Sequence, residues 1–63
     1  MKIGDTIRMR FDCFGVTSFE DVTVIKFDET TITVDNEKVF DRKTGKCLND
    51  NVYMGGKRSI KPQ

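Results

Sequence analysis

At 63 residues and 7.2 kDa, the chain is a single domain (1–63) near the lower limit of independent folding. No stretch approaches the ~18 consecutive apolar residues of a membrane-spanning helix, so no membrane partner is expected, and so small a core leaves no room for an enclosed catalytic pocket. Histidine and tryptophan are absent, which excludes Ser-His-Asp and Cys-His nucleophilic sites and removes the commonest zinc ligand.

Net charge is +1, but it is divided unevenly along the chain. Residues 1–37 carry four bases against eight acids, for −4, and residues 38–63 carry seven bases against two acids, for +5. Cys13 and Cys47 stand far apart with no second cysteine near either, so no paired-thiol metal or redox motif is present. The opening Met1-Lys2-Ile3-Gly4-Asp5 has no apolar signal region. A reducing, cytoplasmic setting is therefore expected, with both cysteines acting as small hydrophobes.

Gly4-Asp5 is turn chemistry and precedes the clearest strand. Ile7, Met9 and Phe11 alternate with Thr6, Arg8, Arg10 and Asp12, placing the apolar side chains on one face and the charges on the other. Cys13 continues the apolar parity. From Cys13 to Glu20 the alternation breaks around Gly15, and the segment reads as a loop. Residues 21–27 return to a strand whose parity shifts: Val22 and Val24 share one face, Ile25 and Phe27 the other. A β-bulge at a barrel corner would produce that shift.

Asp28-Glu29-Thr30 is a turn, and Thr31-Ile32-Thr33-Val34-Asp35 alternates again. After a second turn at Asn36-Glu37, Lys38-Val39-Phe40 forms a short fourth strand. Gly45 takes a positive φ in the polar turn 41–46, and Cys47-Leu48 touches the core briefly. Val52-Tyr53-Met54 and Ser59-Ile60-Lys61 are short apolar-centred segments around Gly55-Gly56, ending at Pro62. No apolar stripe of helical period exists, so no helix beyond a single turn is expected. The predicted fold is all-β, a five-stranded, partly open small barrel cored by Ile7, Met9, Phe11, Val24, Ile32, Val34, Val39 and Phe40.

The opening Ile3-Gly4-Asp5-Thr6-Ile7-Arg8-Met9, the meander from Val22 to Phe40 and the closing Ile60 segment together resemble Src-homology-3-like (SH3-like) barrels of the KOW and Tudor kind. The likeness covers most of the chain and is one of strand and turn pattern. It implies a binding module, with RNA or DNA among the ligands of such barrels.

The carboxylates Asp12, Glu20, Asp21, Asp28, Glu29 and Asp41 sit mostly at turns, where acids keep a surface solvated. No cleft is expected to hold two of them as an acid/base pair, and no run has the spacing of a calcium loop. No enzyme, cofactor or metal is expected. The basic residues are the stronger candidates: Arg42, Lys43 and Lys46 crowd one turn, and Lys57, Arg58 and Lys61 follow Gly-Gly. With Tyr53 stacking on an unpaired base, they compose a nucleic-acid surface, although dispersed cations are also what an ordinary solvated surface carries.

The alternative is a protein-interaction module, or a small protein inhibitor, docking through Phe14, Phe19, Glu20 and Asp21. Exposed aromatic anchors ringed by polar groups dominate such interfaces. If instead the segment folds back, both rings cap the barrel. Open barrel edges further lead us to expect a weak homodimer, by strand addition or by burial of Phe14 and Phe19.

Overall fold

A computed structural model describes residues 1–50 and 56–63. It contains five antiparallel strands, β1 (Thr6–Cys13), β2 (Val16–Phe27), β3 (Thr31–Val34), β4 (Val39–Asp41) and β5 (Gly56–Ile60), in the order β4-β3-β2-β1-β5. The described residues contain no helix. The first and last strands pair, so the sheet curls into a nearly closed small barrel with one unsealed seam.

The seam lies between β4 and β5. Residues 45–48 run through it and touch each strand by a single bridge, Phe40 with Cys47 and Lys46 with Ser59. The Ile60 amide donates to the Gly45 carbonyl at 2.8 Å, and the Leu48 amide to Val39 at 2.7 Å. Gly45 has φ +78° here, and a Cβ on it would run into the Ile60 carbonyl. Only glycine lets the chain pass this close.

β2 is the corner strand. Its register with β3 slips between Val24 and Lys26, leaving Ile25 as the extra residue. Val22 and Val24 are buried, Ile25 is exposed and Phe27 packs back against the core. The bulge expected from the parity shift is therefore present, and it lets one strand serve two halves of the sheet. The C-terminal end of β2 pairs with β3, and among the described residues its N-terminal half pairs only with β1.

The core is Met9, Val22, Val24, Ile32, Val34, Phe40 and Ile60, with Ile7, Phe27 and Cys47 packed against it. Val22 and Ile60 join the expected set. Val39, expected inside, is only half-buried because it pairs with Thr33 on the outward side of β3, opposite in parity to Phe40. Phe11 is also half-buried: the Arg58 guanidinium covers its ring at 4.6 Å from the centroid. On another side the ring lies against Gly56, where a Cβ could not fit.

The loop expected from Cys13 to Glu20 is instead a hairpin. Only Phe14 and Gly15 leave the ladder, with φ +50° and +80°, and Cys13 pairs directly with Val16. Positive φ at both central residues is the signature of the two-residue hairpin turn whose twist matches its strands. The alternation was obscured because residues 16–21 are all exposed, so no burial pattern disciplines their polarity.

Acids organise two of the other turns. Asp28 Oδ1 accepts the amides of Thr30 and Thr31, both at 2.8 Å. These bonds lower its pKa to about 2. Asp41 Oδ1 likewise accepts the Lys43 amide at 2.8 Å and the Thr44 amide at 3.1 Å. Both carboxylates shape backbone.

Candidate nucleic-acid interface

Strand alternation sorts the β1–β2 hairpin and β5 into two faces. On the inner side lie Met9, Phe11 and Ile60; on the outer side lie Arg8, Arg10, Phe19, Lys57 and Ser59. The registers place Phe19 opposite Arg10, Arg10 opposite Ser59, and Ser59 opposite Lys46. One row therefore crosses three strands and the seam. Opposed residues in an antiparallel sheet stand roughly 4.5–5.5 Å apart.

The rows on either side add charge. Arg8 stands opposite Asp21, and its guanidinium carbon lies 5.5 Å from the centre of the Phe19 ring. Lys57 stands opposite Asp12. An open groove of about 700 Å³ runs along this face, with Arg8, Arg10, Phe19, Ser59 and Lys61 among its lining residues. The face presents five cations, Arg8, Arg10, Lys46, Lys57 and Lys61, against the two carboxylates Asp12 and Asp21.

Asp12 is itself held. The Thr17 hydroxyl donates to it at 2.5 Å and the Arg10 guanidinium approaches to 3.0 Å, and these contacts, the hydroxyl foremost, lower its pKa. Phe19 is 60% exposed at the edge of this charged surface. A flat aromatic ring flanked by guanidinium groups can stack a nucleobase while the cations of the face engage phosphates.

The six basic residues expected to act together are divided by the fold. Lys46, Lys57 and Lys61 lie on the face just described. Arg42 and Lys43 border a separate depression beside Pro62 and Gln63. There Arg42 stacks over Phe27, 5.7 Å from its centroid, and donates to the Asp28 carbonyl at 2.7 Å. Arg58 points to the inner side, where its guanidinium and amide donate to Asp50 at 2.9 and 2.7 Å. Burial alone would raise the Asp50 pKa, but these Arg58 contacts outweigh it and lower the value. Tyr53 lies outside the described residues.

The docking alternative is divided as well. Phe14 is 86% exposed at the hairpin tip, Phe19 and Asp21 lie on the outer face, and Glu20 on the opposite one. The rings do not cap the barrel.

Cys47 carries no reactive signature. Burial, together with the nearby Asp50 charge, pushes its thiol pKa up, with the Asn49 backbone only partly opposing. The thiol donates to Asn49 Oδ1 at 3.4 Å. Among the described residues no three acidic or thiol side chains converge as metal donors, and no helix is long and apolar enough to cross a membrane.

Arg8 and Arg10 were not among the expected site residues, since they fall in the acidic part of the sequence. The signal that could have found them is topological. In a small barrel the first strand meets the last, so the outward arginines of β1 come beside the basic C-terminal segment. Comparison with protein families, curated proteins and solved structures finds no match.

Proposed function

We propose that the chain is a non-catalytic binding module for single-stranded nucleic acid, acting through the outer face of β2, β1 and β5. The observation that carries the reading is the row Phe19, Arg10, Ser59 and Lys46, with Arg8 stacked on the aromatic ring. Phe19, rather than Tyr53, supplies the stacking ring, and Arg8 and Arg10 join Lys46, Lys57 and Lys61 as phosphate ligands. The resemblance to SH3-like barrels supports the same class of ligand.

The open shape of the groove fits an unpaired strand whose bases can turn toward a protein ring, which bases stacked within a duplex cannot do without being extruded. Five cations set the electrostatic contribution, so the slope of log affinity against log salt is expected at roughly −2 to −4. An anisotropy titration with a short labelled single strand and a short duplex at low salt tests the reading. Binding of the single strand, weakened by Phe19→Ala, supports it; no binding of either at high micromolar protein refutes it.

The 86% exposure of Phe14 favours a second reading, a protein module docking through the hairpin tip. That reading has Phe14→Ser abolish capture of a partner while Arg10→Glu is tolerated.

A further inference from the structure

Among the described residues, the N-terminal half of β2 has an open side. β1 pairs with it along one edge, and β3 joins only from Val24 onward. Along the other edge, among the described residues, residues 16–22 meet no strand. The Val24 amide donates to Asp5, on the β1 side, while the Thr23 carbonyl accepts from Asp35 on the β3 side. Counting back by twos, Thr17, Phe19 and Asp21 each aim an N–H and a C=O into the open side.

Folded proteins commonly guard such an edge with proline, lysine, a bulge or a covering loop. The run Val16-Thr17-Ser18-Phe19-Glu20-Asp21-Val22 has no proline and no base, its register with β1 is continuous, and residues 16–21 are exposed. Its only charges are two neighbouring acids.

We propose that this edge pairs with the same edge of a second copy, antiparallel, about a two-fold axis at Phe19. The sequence is complementary to itself in that register. Each Phe19 faces the Phe19 of the second copy, each Ser18 faces Glu20, each Thr17 faces Asp21 and each Val16 faces Val22. No two like charges are opposed. Three hydrogen-bonded pairs supply roughly six interchain backbone bonds. A shift to an axis at Glu20 sets two carboxylates face to face and calls on the Thr23 carbonyl, which Asp35 already occupies. A shift to Ser18 sets Asp21 against Gly15 at the turn.

Such a two-fold axis runs perpendicular to the sheet, so both outer faces lie on the same side. The two Phe19 rings become neighbours at the centre of one continuous surface, flanked by both pairs of arginines. The pairing stands on the edge alone, whether or not that surface binds nucleic acid.

Analytical ultracentrifugation of the full chain without nucleic acid tests it. The wild type is expected in monomer–dimer equilibrium, approaching twice the 7.2 kDa chain mass at high concentration. Ser18→Lys sets a cation opposite Glu20 at two symmetric places and should tighten the dimer by roughly fivefold, while Ser18→Glu loosens it by a similar factor. A chain made by total synthesis with an N-methylated Phe19 amide should keep the barrel's circular dichroism and lose the dimer. A single-chain mass at every concentration, or an intact dimer after N-methylation, overturns the pairing. Loosening by both Ser18 variants overturns the register at Phe19.

Discussion

Arg8 lies over the ring of Phe19, its guanidinium carbon 5.5 Å from the centroid. The pair joins two residues that the sequence assigns to different roles, a solvent-facing strand cation and an aromatic in an acidic segment. Because the ring is still 60% exposed, the contact orients it without hiding it. Phe19→Ala should therefore leave the barrel folded and remove roughly 1–3 kcal/mol of single-strand affinity, the usual contribution of one stacked base. Equal affinities in wild type and variant would contradict the role.

The division of the basic residues predicts unequal effects of equal charge changes. Arg10→Ala and Lys61→Ala should each reduce the steepness of the salt dependence by about 0.7, the value of one phosphate contact on a single strand. Lys43→Ala, beside the separate depression, should leave the slope unchanged. A salt series of titrations measures all three.

The Gly56 contact sets a packing test. A Cβ there meets the Phe11 ring, which is covered by Arg58 on another side. Gly56→Ala should destabilise the domain by about 1–3 kcal/mol in urea unfolding, the usual cost of overpacking. Adding Phe11→Leu should recover part of the loss, since the smaller side chain vacates the space. An unchanged urea midpoint in the single variant would contradict the packing.

How much of this was legible in the sequence depended on how many faces each segment buries. β1 could be read directly because Met9 is buried while Arg8 and Arg10 are exposed, giving one dry face and one wet one. The bulge at Ile25 was legible for the same reason, since buried Val22 and Val24 mark the inward face before the slip. The hairpin half of β2 was not legible. With both faces in water, Val16, Phe19 and Glu20 follow no apolar alternation, and an exposed Phe14 in the left-handed region is not the residue a two-residue turn normally takes. The candidate face was only partly legible because it is assembled by pairing β1 with β5, a long-range contact no local pattern encodes.

Two ion pairs should differ sharply in their contribution to stability. Asp50 and Arg58 are largely withdrawn from water, their side chains 12% and 26% exposed, and Asp50 also accepts the Arg58 amide. Asp50→Ala should cost about 1–3 kcal/mol by leaving a donor unsatisfied. Asp12→Ala, at the exposed pair with Arg10, should scarcely move the urea midpoint. Equal losses would contradict the contrast.

Asp28 sets an acid limit. Its pKa in the fold, about 2, lies below the ordinary carboxylate value of 3.8. The folded state therefore binds fewer protons than the unfolded one between these values. Its stabilisation is fully present above the upper value and is lost as pH falls through the lower one. Thermal unfolding should show a Tm that declines between about pH 4 and pH 2, and Asp28→Asn, which keeps the acceptor oxygen but cannot titrate, should decline less. Parallel curves would contradict the assignment.

Single-strand binding at the outer face of β2, β1 and β5 can be followed through backbone and side-chain NMR shifts as a short unlabelled oligonucleotide is added to the isotope-labelled chain. Saturable shifts concentrated at Arg8, Arg10, Phe19, Ser59 and Lys61 are expected, with Arg42 and Lys43 unmoved. Shifts centred on Arg42 and Lys43, or none at any residue up to saturating oligonucleotide, would contradict binding at this face.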